Sequence, residues 1–165
     1  MNIGVLAFSG VDELDLFGVL SVLNKANTKL DQAFNLKVLG LNDWEKTSGG
    51  SIISTHPITK SEWDVLVLPG GSAALAASDS HAYDEFIKHQ INAGTKIYTV
   101  CSGVLLLRRL GYLRGKVLAC HANKKEHLKG FFCIYLTMHD FLTKSLLSSS
   151  FIYLPNESER THRIE

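Results

Sequence analysis

The run Val65-Leu66-Val67-Leu68 is apolar at every position and stops at Pro69-Gly70-Gly71. A strand with one face in water alternates polar with apolar residues, so a run without alternation is buried on both faces. Burial on both faces is the mark of a parallel sheet covered by helices, because parallel strands need crossover connections. The spacing of the remaining apolar segments fits that demand. Strands are expected over Asn2–Phe8, Phe34–Leu41, Asp64–Leu68, Lys96–Val100 and Lys116–Cys120, with helices over Asp12–Asn27, Asp79–Ala93 and Ser102–Leu110. Gly49-Gly50 is expected to turn a small hairpin carrying Ile52 and Ile53. The expectation is an α/β fold with a mainly parallel sheet.

With 165 residues, 45% of them hydrophobic, the chain fits one domain with a substantial core over 1–154, followed by a polar tail at 155–165. Seventeen Lys and Arg against sixteen Asp and Glu give a formal charge of +1, which argues against nucleic acid or an anionic membrane as partner. No apolar stretch approaches the roughly 20 residues of a membrane helix. Three cysteines without paired spacing, and an N-terminus without a basic segment and apolar run, point to the reducing cytoplasm.

Chemistry concentrates at three places. In Ile97-Tyr-Thr-Val-Cys-Ser-Gly, Cys101 stands where a strand turns into a helix. A helix N-terminus favours a thiolate, and a sharp elbow pushes the side chain into a cleft. Against this stands the ordinary buried cysteine, common in apolar cores. Second, Gly70-Gly71 follows a buried strand and lets the backbone approach a ligand, with N–H groups able to face a developing oxyanion. Third, Asp15 sits among Leu14, Leu16 and Phe17 at the start of a helix. Asp12 and Glu13 are accounted for by the helix dipole, whereas Asp15, in partly apolar surroundings, is a candidate proton carrier. Glycine pair and cysteine both lie at carboxyl ends of strands, where open α/β sheets bind their ligands.

Taken in order, Phe8-Ser-Gly-Val-Asp-Glu-Leu-Asp-Leu-Phe-Gly, Asp64-Val-Leu-Val-Leu-Pro-Gly-Gly, Tyr98-Thr-Val-Cys-Ser-Gly-Val-Leu-Leu-Leu, Gly111-Tyr-Leu-Arg-Gly-Lys and Ala119-Cys-His resemble the ThiJ/PfpI superfamily over residues 2–130. Within it they look most like the branch of isonitrile hydratases and the ligand-binding domains of AraC-type regulators. The resemblance implies a flavodoxin-like three-layer sandwich, a homodimer and no cofactor. It implies Cys101 as nucleophile, Asp15 as the acid bonded to it, Gly70, Gly71 and Ser102 around the oxyanion or substrate, and His121 as a further catalytic residue. The implied activity is hydration or hydrolysis of a small electrophile, with a ligand or redox sensor, or a peptidase-like relative, as the alternative.

Two features depart from the family pattern. His121 follows Cys120 where the family carries Thr. After Gly130, the last of thirteen glycines, the usual strand, Thr-Ser-Gly-Gly turn and covering helix are not recognisable, so the C-terminal elements are expected to be incomplete. Cys120, His121, His127, Cys133 and His139 lack the short paired spacing of a zinc site, and no metal is expected.

Overall fold

The computed structural model describes residues 1–59, 61–114, 117–121, 126–129 and 132–136. Of the last strand, and of all but Leu118 in the strand before it, only the backbone is described. The expected tail at 155–165 lies outside the described residues, as do the side chains of Cys120, His121 and Cys133.

Strands β1 (Asn2–Leu6), β2 (Asn35–Gly40), β5 (His56–Pro57), β6 (Val65–Leu68) and β7 (Lys96–Thr99) form a sheet in the order β5-β2-β1-β6-β7, every neighbouring pair parallel. Register is set in rows: Gly4 opposes Lys37 and Leu66, and Leu66 opposes Ile97. The unalternating runs are buried as expected, with Leu66, Leu68 and Ile97 wholly inaccessible. The order reverses between β1 and β6, so their carboxyl ends open the crevice typical of doubly wound sheets.

Helix α1 (Glu13–Lys29) begins at Asp12, whose carboxylate accepts from the Leu14 and Asp15 N–H groups at 2.9 and 3.2 Å. Its far end is tied to β2 by buried Asn27, which donates to Phe34 O and accepts from Phe34 N–H. A short helix α2 (Ala74–Ala77) precedes α3 (His81–Asn92), whose Phe86 and Ile87 enter the core. The hairpin around Gly49-Gly50 exists as antiparallel β3 (Trp44–Lys46) and β4 (Ile52–Ser54). Cys101–Leu107 forms a 3₁₀ helix rather than the longer helix expected to Leu110, and its Val104, Leu105, Leu106 and Leu107 are all buried. Each such side chain contributes about 1.5–3 kcal/mol by leaving water, which explains why a poorly hydrogen-bonded 3₁₀ helix of this length persists.

Strand β8 (Val117–His121) pairs in parallel with β9 (Phe132–Leu136) in a separate two-stranded sheet. A strand therefore does follow the histidine segment, against the expectation of no recognisable element beyond Gly130. The alternation of Phe132-Cys-Ile-Tyr-Leu is weak, and strand pairing with β8 decides its conformation. Among the described residues no helix is long and apolar enough to cross a membrane.

Candidate functional site

Three loops at the carboxyl edge of the sheet meet at one point. The β1–α1 loop brings Asp15 on the first turn of α1, the β6–α2 loop brings Gly70 and Gly71, and the end of β7 brings Cys101 and Ser102. Cys101 has φ +52, a left-handed conformation that a residue with a Cβ adopts only when its surroundings impose it. The imposition is visible next door: a Cβ added to Gly103 would lie 2.0 Å from Leu68 O, so the chain turns directly on the backbone of β6.

The contacts are specific. Gly70 N–H donates to Asp15 Oδ2 at 3.2 Å, and Gly71 N–H donates to Ser102 Oγ at 2.9 Å. Ser102 Oγ returns a hydrogen bond to Gly71 O at 3.0 Å. Asp15 and the Cys101 thiol are hydrogen-bonded to each other. Five of the six expected site residues thus assemble. His121 is placed only as a backbone position at the end of β8, and its side chain lies outside the described residues.

The electrostatics differ from expectation in one respect. Cys101 is exposed, yet its thiol is pushed up from the ordinary value, first by desolvation and then by the Asp15 charge, with hydrogen bonds from Ser102 only partly opposing this. A helix N-terminus favouring the thiolate does not dominate, because desolvation, and after it the facing carboxylate, oppose the charge at the start of a seven-residue 3₁₀ helix. Asp15 is also pushed up, by burial and then by Asp12, against hydrogen bonds from Gly70 and Cys101. The interaction is one-sided: the Asp15 charge adds to the rise at Cys101, whereas the hydrogen bond from Cys101 opposes the rise at Asp15.

A second difference concerns the glycine loop. The Gly70 and Gly71 N–H groups do not face open space; Asp15 and Ser102 occupy them. In this conformation they orient the acid and the serine, not an oxyanion. Neither of two clefts of about 540 and 360 Å³ includes Cys101 in its lining.

Glu13, assigned from sequence to the helix dipole alone, has another role. Its carboxylate accepts from Thr47 Oγ1 at 2.5 Å and from Ser51 N–H at 3.3 Å, and the Thr47 bond leads the causes holding its pKa low. This fastens the β3–β4 hairpin beside the site; no local pattern at Glu13 signals a partner 34 residues away. Across the 3₁₀ helix, Arg108 joins Ser78 and Asp79, and Arg109 joins Asp79 and Asp84. No group of three potential metal ligands occurs among the described residues.

A family model described as the DJ-1/PfpI family matches residues 1–149, beyond the 2–130 that the motifs cover. Protein DJ-1alpha of Drosophila melanogaster is 30% identical over 104 residues, 58% of this chain and 48% of that protein; the chain spans about half the length of this curated relative. Drosophila melanogaster DJ-1beta superposes with a TM-score of 0.70 at 23% identity, covering 82% of this chain and 74% of that one. The putative protease I from Bacteroides thetaiotaomicron gives 0.67 at 21% identity over 81% of each chain. Toxoplasma gondii DJ-1 in an oxidized form gives 0.64 at 18%, over 76% and 70%. These structures share the fold, and the chain belongs to the DJ-1/PfpI family.

Proposed function

We propose that this DJ-1/PfpI family member is a cysteine-dependent hydratase or hydrolase of small electrophiles, similar in chemistry to isonitrile hydratases. The observation that carries the reading is the hydrogen-bonded Cys101–Asp15 pair, held by Gly70 N–H at an exposed, conformationally strained elbow. A thiol pushed up in pKa is mostly protonated at neutral pH, so it needs a base at the moment of attack. Asp15, itself pushed up, is a better proton acceptor than an ordinary aspartate and is already in contact.

With an isonitrile as substrate, the Cys101 proton passes to Asp15 while sulfur bonds to the terminal carbon. Asp15 returns that proton to the same carbon, giving a thioimidate. Water adds to this carbon as Asp15 takes one of its protons and passes it to nitrogen; the C–S bond then breaks while the hydroxyl proton passes through Asp15 to sulfur, and an N-substituted formamide leaves with the thiol restored. The sum is isonitrile plus water, with no external cofactor. His121 is kept as a candidate proton carrier by resemblance, and the Ser102 N–H as a donor near the sulfur.

A redox-sensing role is the second reading, supported by the exposure of Cys101 and by a relative whose structure is of an oxidized form. Exposed Leu14, Phe17 and Val22 along α1 support the homodimer. Alkyl isonitrile incubated with purified protein separates the readings. Many formamide molecules per Cys101, lost in Cys101→Ser, support the enzyme. No turnover from folded protein, with peroxide adding two oxygens to Cys101, refutes it in favour of the sensor.

A further inference from the structure

Three hydrogen bonds close a ring beneath the site. Asp12 N–H donates to Gly70 O at 3.0 Å, Gly70 N–H donates to Asp15 Oδ2 at 3.2 Å, and Asp15 N–H donates to Asp12 Oδ1 at 3.2 Å. Gly70 is therefore tied to the first turn of α1 through both its carbonyl and its N–H, and Asp12 holds the carbonyl. The approach requires the glycine that follows. Gly71 stands at φ +133, and a Cβ there would lie 2.6 Å from Asp12 N. The place of the Asp15 carboxylate is thus set through Asp12, a residue that does not itself touch Cys101 in any hydrogen bond among the described residues.

The Asp12 side chain carries more than a cap requires. Asn or Ser supplies an N-cap oxygen as well as Asp does, without a charge. The helix dipole rewards a carboxylate at this position, but a second carboxylate three residues on repels it. No cation relieves that repulsion: among the described residues no ion pair includes Asp12 or Asp15. Of the elements around Asp15, the β6–α2 loop brings the Gly70 N–H, the elbow after β7 brings the Cys101 thiol, and on α1 itself Glu13 is committed to Thr47 and Ser51. A carboxylate repelled by another gains by accepting a proton, and the Asp12 charge stands next to burial among the causes that push Asp15 up.

We propose that Asp12 is a positioning residue for the Cys101 reaction: its N–H, through Gly70, fixes where the Asp15 carboxylate stands, and its charge makes Asp15 readier to take the thiol proton. This rests on the reading of Asp15 as the base for Cys101. The substrate is not touched by Asp12, which acts only through its neighbour.

The test separates charge from cap in the full chain. Asp12→Asn keeps an oxygen for the Leu14 and Asp15 N–H groups and removes the charge, whereas Asp12→Ala removes both. The readouts are the carboxyl-carbon titration of Asp15 by nuclear magnetic resonance, a thermal melt, Cys101 alkylation against pH, and turnover of an alkyl isonitrile against pH. In Asp12→Asn the melt is expected to stay near the wild type while the Asp15 midpoint moves to lower pH; the acid limb of turnover follows it, and the plateau falls about three- to tenfold, short of the loss in Asp15→Asn. The alkaline inflection of Cys101 alkylation stays in place, since Asp15 is ionised there in both proteins. Asp12→Ala should show the same loss of charge with a lower melting temperature, and its alkylation inflection should fall as Asp15 is freed from its place. An Asp15 midpoint unmoved or raised in folded Asp12→Asn, or an Asp12→Ala that melts and alkylates as Asp12→Asn does, overturns the proposal. Asp12→Ser, which also keeps a cap oxygen, is read in place of an Asn variant that does not fold. Absence of turnover in the wild type counts against the hydratase reading alone, because the Asp15 titration needs no substrate and still decides the role of Asp12.

Discussion

Replacing Gly70 with alanine adds one methyl group at the centre of the site without straining the backbone, since Gly70 is not in the left-handed region. The new Cβ would stand 2.6 Å from Ser102 N, 2.7 Å from Ser102 Oγ and 2.8 Å from Asp15 Oδ2. Ordinary contact begins near 3.4 Å, so Ser102 N must retreat by about 0.8 Å and the Asp15 oxygen by about 0.6 Å. Ser102 N belongs to the backbone of the elbow and cannot move without Cys101. Overpacking of this kind costs about 1–3 kcal/mol, or roughly 2–12 °C in melting temperature for a chain of this size. Pushing the Asp15 carboxylate away weakens the charge that opposes the thiolate, so alkylation of Cys101 near neutral pH is expected to quicken relative to the wild type. The assay is iodoacetamide labelling resolved by peptide mass, which separates Cys101 from Cys120 and Cys133, beside a thermal melt. Gly18→Ala is the control, because its Cβ meets nothing within 4 Å and a helix interior favours alanine by about 0.5–1 kcal/mol. Wild-type melting and labelling in Gly70→Ala would refute the convergence of these loops.

Asp15→Asn is expected to raise stability at neutral pH: the folded pKa of Asp15 is pushed up, so its ionisation costs stability as pH rises through that value, and the advantage of Asn should vanish below pH about 4 in pH-dependent melts. The same variant should lower turnover by about two to four decades, measured as formamide release. Glu13 has the opposite sign, its folded pKa being held down, so the hairpin attachment is present above the ordinary carboxylate value and lost as pH falls through the folded one; amide exchange at 44–54 should accelerate in acid, and Glu13→Gln should remove that dependence. Leu105→Ala, at a wholly buried position, should cost about 2–5 kcal/mol in denaturant unfolding. Phe17→Glu on exposed α1 should convert a dimer to a monomer in light scattering; a species of unchanged mass counts against the homodimer.

The sheet was readable because double-sided burial leaves a direct mark: Val65–Leu68 and residues 97–99 show no regular polar alternation, and both runs lie in the parallel sheet. Cys101 and Gly70 could be found because each stands just past such a strand, and Asp15 because it lies on the first turn of the helix that follows one, where chain direction alone brings loops to one edge. What eluded sequence reasoning depends on contacts distant in the chain. The two-residue β5 is held by pairing with Leu39 and Gly40, not by its own propensity. The Glu13–Thr47 attachment and the occupation of the Gly70 and Gly71 N–H groups by side chains need the folded geometry. The direction of the Cys101 shift turned on a balance between dipole and carboxylate that spacing cannot weigh.

The coupling of Cys101 to Asp15 is tested most directly by the pH dependence of Cys101 alkylation in the wild type and in Asp15→Asn. The wild-type profile is expected to inflect above the ordinary thiol range, because burial and the Asp15 charge both oppose the thiolate. Asp15→Asn removes that charge but leaves a side-chain oxygen to accept from Gly70 N–H, so the inflection should move to lower pH with the loops still in place. An inflection unmoved by Asp15→Asn, or one assigned by peptide mass to Cys120 or Cys133, would contradict a shared Cys101–Asp15 site.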